Sequence, residues 1–189
     1  MRDADIRVAL RARLDGEHVH ELNDTLFVEE LGLCGQVRVD LAVVNGSLSG
    51  YELKSARDTL RRLPMQVDYY SQVFDFATLV VAACHSGHAI AELPNWWGCI
   101  EASMNDGRVV LTEIRPASGN PAINAYALAQ LLWRDEALEE LDIRGMALGV
   151  RSKPRVEIWA RLAERVPLAE LRLAVRTRLK GRQGWRPVP

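Results

Sequence analysis

The chain has 189 residues, enough for one good hydrophobic core and a small appended module. Hydrophobic residues make up 48% and charged residues 26%, the balance of an ordinary globular protein. The N-terminal stretch MRDADIRVALRARLDGEH is too charged for a secretory leader, and no apolar run approaches membrane-spanning length. Three widely spaced cysteines (Cys34, Cys84, Cys99) argue against a disulfide framework, so a reduced, cytoplasmic protein with no membrane contact is the expectation.

The net charge of −1 is unevenly spread. Residues 151–189 hold eleven Lys/Arg against three acids, a net of +8, which leaves −9 for the first 150 residues. A basic tail on an acidic body fits contact with a phosphate polymer, and it equally fits a solvated helical face.

In chain order, Asp3 and Asp5 start a short helix over 3–15, in which Ile6, Ala9, Leu10 and Leu14 recur at helical spacing. TLFVEELGL (25–33) is β-prone and is expected to break at Gly32. QVRVDLAVV (36–44) alternates and then turns fully apolar, as a strand entering a core does. Asn45-Gly46 predicts a tight primed hairpin turn with φ > 0 at both central positions, and SLSGYELK (47–54) returns from it. Ser55 with Asp58 resembles a capping box, opening a helix that carries Leu60, Leu63, Val67 and Tyr70 and is kinked or divided at Pro64.

ATLVVAAC (77–84) reads as a buried strand. A short helix around 87–93, a strand across WWGCIEA, an NDG turn at 105–107 and a strand RVVLTEI follow. Residues 121–141 read as one helix with Pro121 at its start. Gly145 to Pro154 reads as a linker between a domain at 1–145 and a basic helical module at 150–189. In that module two helices separate at Pro167. The second carries an apolar stripe of Leu168, Leu171, Val175 and Leu179, and a row of Arg172, Arg176 and Lys180 at i+4 spacing. The whole is a mixed α/β chain without internal repeats.

Chemistry concentrates in VRVDLAVVNGSLSGYELK (37–54). Side chains alternate along a strand, so Glu52 and Lys54 share a face, with Tyr51 and Leu53 on the other. Asp40 lies on the partner strand, in a register the sequence does not fix. Two carboxylates and an ammonium in one patch suit a hard divalent cation, which takes oxygen ligands and leaves places for water and phosphate. Such a cation can polarise a phosphodiester and lower the pKa of a bound water. A Glu-x-Lys triplet is also what a solvated strand face with a weak ion pair carries.

Asp40, then Glu52-Leu53-Lys54 on the next strand, then a helix with Gln66-x-x-x-Tyr70 together resemble the PD-(D/E)XK nuclease superfamily, in particular a small bacterial branch of it. The resemblance is strongest over 28–100 and implies a restriction-endonuclease-like core: helix, three strands, helix, strand. It implies that Asp40 and Glu52 bind Mg²⁺ or Mn²⁺, that the Leu53 carbonyl completes the metal shell, and that Lys54 positions the attacking water. Gln66 and Tyr70 look like the Q-x-x-x-Y feature of RecB-type nucleases. Val39 stands where the family often has proline. The further upstream acid is open among Glu30, Glu29, Glu21 and Glu17, with Glu30 favoured as nearest the strand core.

The expected activity is therefore metal-dependent hydrolysis of nucleic acid, DNA before RNA. The alternative is a non-catalytic nucleic-acid-binding or assembly protein that retains the fold. A homodimer or a protein partner stays open. The 152–182 helical pair resembles a SAP or helix-extension-helix element, and Arg172, Arg176 and Lys180 are its expected nucleic-acid contacts. Cys84, His85, His88 and Cys99 have zinc-binding chemistry but no common ligand spacing. No Gly-rich phosphate loop or G-x-S-x-G element is present.

Overall fold

The computed structural model describes residues 1–182, so the end of the expected 150–189 module lies outside the described residues. Helix α1 (Asp3–Glu17) leads into an antiparallel meander of β1 (Leu26–Leu33), β2 (Val37–Val44) and β3 (Leu48–Lys54). Helix α2 (Leu63–Val73) connects to β4 (Phe76–Ala82), and α3 (Ala83–Glu92) connects to β5 (Gly98–Asn105); the β3–β4 and β4–β5 pairings are both parallel. Strand β6 (Arg108–Arg115) pairs antiparallel with β5. The remaining helices are α4 (Ala125–Ala129), α5 (Arg134–Ile143), α6 (Arg155–Arg165) and α7 (Leu168–Gly181). The protein is thus α/β, with a six-stranded mixed sheet whose strands lie side by side in sequence order. No described helix is long and apolar enough to cross a membrane.

Alternation along the strands splits the core in two. Ile6, Leu10 and Leu14 of α1 pack on Leu41, Val43, Leu53, Val80 and Ile100. The opposite sheet face, with Val44, Leu48, Leu79 and Val81, carries α2 through Leu63, Val67 and Tyr70 and continues into the C-terminal helices. Ile158, Trp159, Leu162, Leu171, Val175 and Leu179 belong to this second core, and Trp159 Nε1 donates to Leu132 O at 3.0 Å. The helices beyond residue 150 therefore share the body's core instead of building one of their own.

Local chemistry explains where elements depart from the sequence expectation. Strand β1 runs through Gly32, which pairs with Arg38, and the reversal falls on Cys34 (φ +52) and Gly35 (φ +65). At Asn45-Gly46 neither φ is positive. Val44 pairs with Leu48 across a three-residue loop, and Asn45 Oδ1 accepts from Ser47 N at 3.0 Å, an Asx turn in place of the primed turn. The primed geometry occurs at Asp106 (φ +48) and Gly107 (φ +75). Ser55 and Asp58 do hydrogen-bond, with Ser55 N 2.8 Å from Asp58 Oδ2, but they close an irregular turn. The α-helix begins at Leu63, with Pro64 in its first turn, where the missing N–H costs nothing. The helix expected over 121–141 divides into α4, capped by Asn124 Oδ1 on Tyr126 N and Ala127 N, and α5.

The basic row of α7 faces the acidic body. Asp75, which is 3% exposed, takes Arg172 Nη2 at 2.5 Å and Arg176 Nη1 at 3.7 Å, and it also accepts from Leu48 N at 2.7 Å. Lys180 reaches Asp24 at 2.7 Å. Arg178 bridges Glu139 and Glu140, each at 2.6 Å, and Arg182 pairs with Glu136. Burial pushes the Glu140 carboxyl up, but hydrogen bonds from Arg144 and Arg178 outweigh it and hold the group below the usual range. The stripe expected to meet nucleic acid thus neutralises acids of the same chain. Much of the charge asymmetry is an intramolecular complementarity.

Candidate functional site

Strand β3 alternates as its sequence requires. Tyr51 and Leu53 join the α1 core, and Glu52 and Lys54 turn to the α2 face, both essentially buried. On α2, Gln66 and Tyr70 sit one turn apart on the buried side and reach the same carboxylate. Glu52 Oε1 accepts from Lys54 Nζ and Gln66 Nε2, while Oε2 accepts from Tyr70 OH at 2.5 Å. Burial, followed by the charge of Glu52, drives the Tyr70 phenol well above its ordinary range, so it remains a donor. Tyr70 is itself locked between Phe74 and Trp97, at centroid distances of 5.2 and 5.4 Å.

Asp40 comes from the adjacent strand. The β2–β3 ladder ends at Leu41↔Tyr51, and the same register one step on sets Asp40 opposite Glu52. Asp40 Oδ2 accepts from Leu53 N at 2.7 Å, so a carboxylate stands where a continuing ladder would offer a main-chain carbonyl. Burial raises the Asp40 pKa to about 7, with the Glu52 charge adding to the shift and the Leu53 N–H, Lys54 and Arg7 opposing it.

A local distortion delivers a third acid. Glu30 has φ +54, a left-handed conformation that costs a β residue roughly 1–3 kcal/mol. Pairing keeps one register on both sides, Glu29↔Leu41 and Leu31↔Val39, and is interrupted only at the Glu30–Asp40 step. There the alternation breaks as well, because Val37 and Val39 share a core with Ala42 and Val44. Of the competing upstream acids, Glu30 reaches the cleft of Asp40 and Glu52. Glu29 is exposed, Glu21 pairs with His18, and Glu17 pairs with Arg13.

Arg7 was not among the expected site residues. Its Nη1 donates to Asp40 O at 2.5 Å, and its Nη2 lies 3.6 Å from Asp40 Oδ1, 3.5 Å from Glu30 Oε1 and 3.4 Å from Asp3 Oδ2. The nearest sequence signal is its place beside Ile6 on α1, which is too common a pattern to single it out.

Asp40, Glu52, Leu53, Lys54, Gln66 and Glu30 all line one cleft of about 490 Å³. Gln66 is 7% exposed, and its Oε1 has no hydrogen-bond partner among the described residues. That acceptor is left to take a proton from a group entering the cleft. Among the described residues no group of three or more His, Cys, Asp or Glu side chains is placed to hold a metal ion. Two carboxylates with a main-chain carbonyl is instead the open kind of set that Mg²⁺ uses, with water and phosphate supplying the rest. The Cys84, His85, His88 and Cys99 group does not assemble: Cys99 is buried in β5 and Cys84 is exposed on α3.

The raised Asp40 pKa has a sign that can be measured. Between about pH 4 and 7 the unfolded chain has lost this proton while the fold keeps it, so the contribution of Asp40 to stability falls as pH rises and levels off above 7. Asp40→Asn keeps an acceptor for Leu53 N–H and removes the charge. In EDTA its Tm relative to wild type is expected to climb from near zero at pH 4 to a plateau above pH 7, an advantage of at most about 4 kcal/mol at ~1.4 kcal/mol per pKa unit. A Tm difference independent of pH would show that Asp40 ionises without strain.

A family model described as Bacteriophage P4 protein cII matches residues 1–186. Protein cII of Enterobacteria phage P4 is 25% identical over 183 residues, spanning 96% of this chain and 68% of that protein. Among solved structures, a protein of unknown function from Silicibacter pomeroyi aligns at 19% identity and a TM-score of 0.42, over 75% of this chain and 94% of that one. SfsA of Pyrococcus furiosus, solved in complex with Ca²⁺, aligns at 13% identity and a TM-score of 0.36, over 60% and 63% of the two chains.

Proposed function

The chain belongs to the Bacteriophage P4 protein cII family, and from its cleft we propose that it is a Mg²⁺- or Mn²⁺-dependent nuclease acting on DNA in preference to RNA. The observation that carries this is the meeting of Asp40, Glu52, Lys54 and Gln66 in one cleft, from two neighbouring strands and the helix that follows. The order α1, three antiparallel strands, α2, then a parallel β4 supports a restriction-endonuclease-like core. Asp40, Glu52 and the Leu53 carbonyl would hold the cation. When bound, it supplies Lewis-acid polarisation of the phosphodiester and a more acidic water.

The chain's own groups do the remainder. Gln66 and Tyr70 fix the Glu52 carboxylate by hydrogen bonds, leaving it one orientation. Lys54, buried beside Glu52, offers its ammonium to the entering water or to charge building on phosphorus. Gln66 Oε1 can accept a proton of a water in the cleft.

One observation favours a second reading, a non-catalytic nucleic-acid-binding or assembly protein. Glu52 already takes three internal hydrogen bonds, and Arg7 already lies against Asp40, so the carboxylates are largely satisfied without a cation.

The test offers linear, circular, branched and single-stranded DNA, and RNA, to the purified protein with Mg²⁺ or Mn²⁺. Cleavage that falls at least ~10³-fold in Asp40→Asn, Glu52→Gln and Lys54→Met supports the nuclease. Cleavage that survives all three substitutions overturns it, and binding without cleavage by the wild type establishes the second reading.

A further inference from the structure

With the α7 cations turned onto the body, exposed cations without an acidic partner lie elsewhere. The segment between β3 and α2 carries Arg57, Arg61 and Arg62 within six residues, and all three are exposed. None of their guanidinium groups makes an ion pair or hydrogen bond among the described residues. Nearly every other described arginine is held: Arg7, Arg13, Arg144, Arg172, Arg176 and Arg178, for example, each meet an acid. The acid nearest to this group in sequence, Asp58, accepts from Ser55 N and Ser55 Oγ and so holds the turn.

The position of the cluster matters as much as its charge. Arg62 and Asp58 line the cleft of Asp40 and Glu52, and Arg38, 60% exposed at its side chain, lines it too. We infer that Arg57, Arg61 and Arg62 form the contact surface for the phosphodiester backbone of a nucleic-acid strand, leading it past the carboxylates. A carboxylate-lined cleft repels an anionic strand unless cations offset it beside the site, and unengaged guanidinium forks bind single phosphates bidentately. A lipid surface fits less well, because the exposed stretch 56–62 contains no large apolar side chain that could insert: Leu60 is already half-buried. The inference deepens the nuclease reading and rests on it for the strand's path into the cleft, whereas binding itself needs no metal and no cleavage.

The experiment is fluorescence anisotropy with the full chain in EDTA, using a labelled single-stranded oligodeoxynucleotide, the blunt duplex and the matching RNA, over a range of NaCl. The combined variant Arg57→Gln/Arg61→Gln/Arg62→Gln is compared with wild type and with Arg108→Gln, an exposed arginine on the edge strand β6. The expected result is at least ~10-fold weaker binding at 50 mM salt for the triple variant, with the salt slope reduced by about 2–3, near 0.7–0.9 per phosphate contact. Arg108→Gln should match wild type, and an unchanged melting curve excludes misfolding of the triple variant. Equal affinity and slope in wild type and triple variant, or no binding by wild type to any of the three probes, overturns the inference. A parallel co-sedimentation with phosphatidylserine vesicles covers the lipid alternative, and a loss confined to the vesicles also overturns the inference. Because this binding is read without metal, a chain that binds through these arginines yet never cuts in the Mg²⁺ or Mn²⁺ cleavage assay would sink the nuclease alone.

Discussion

Glu52→Ala is expected to destabilise the fold by about 3–5 kcal/mol, the usual cost of removing one partner of a buried ion pair. Lys54 is only 4% exposed, and Glu52 is its one counter-charge within hydrogen-bonding distance among the described residues. The same substitution strands Gln66 Nε2 and Tyr70 OH, both already withdrawn from water. Adding Lys54→Met should recover part of the loss by removing the unpaired buried charge, while the space left at position 52 and the stranded donors of Gln66 and Tyr70 remain. Urea unfolding at constant m-value reads both effects. If Glu52→Ala melts like wild type, or Lys54→Met restores nothing, the pair is not the closed unit described here. Glu52→Gln keeps the shape and an acceptor, so in cleavage assays it separates chemistry from folding.

Asp75→Ala should have an effect of similar size, felt across the molecule. Its carboxylate accepts from Leu48 N at the start of β3 and meets Arg172 and Arg176, so one buried group ties a sheet strand to α7. Removal leaves a main-chain N–H without its acceptor and two guanidinium groups facing an uncharged wall, again about 3–5 kcal/mol. Hydrogen exchange of α7 amides should accelerate toward the global rate, and Asp75→Asn should lose less because it can still accept from Leu48 N. The exposed Lys180–Asp24 pair offers a contrast: Asp24→Asn should change stability by less than about 1 kcal/mol. A loss under about 1 kcal/mol for Asp75→Ala would mean that the apolar stripe of Leu171, Val175 and Leu179 docks the helix by itself.

The elements most visible in the sequence are those that local physics dictates. Alternation marks β2 and β3, the apolar run marks β4, and Asp106-Gly107 forms a turn of the kind its residues favour. The site residues Asp40, Glu52 and Lys54 stand out for the same reason: charges inside apolar strands demand partners. Turn geometry was less legible. Asn45-Gly46 has the composition of a primed turn, yet Asn45 Oδ1 bonding Ser47 N favours a three-residue loop, and that loop sets the register that puts Asp40 opposite Glu52.

By itself, then, the sequence determined a mixed α/β chain with a carboxylate–ammonium patch on a strand pair and a helix bearing Gln66 and Tyr70 beside it. Short-range periodicity and steric rules act over a few residues and are written there directly. Only the tertiary structure decided which acids meet which cations. Arg172 finds Asp75 about a hundred positions away and Lys180 finds Asp24 still further off, while Arg57, Arg61 and Arg62 find no acid among the described residues. An amphipathic helix specifies that one face is basic, but whether that face meets nucleic acid or its own body depends on charges placed opposite it by the fold. The left-handed Glu30 and the contact of Arg7 with Asp40 belong to the same class. They result from packing a helix against an interrupted ladder, which no local stretch of either segment encodes.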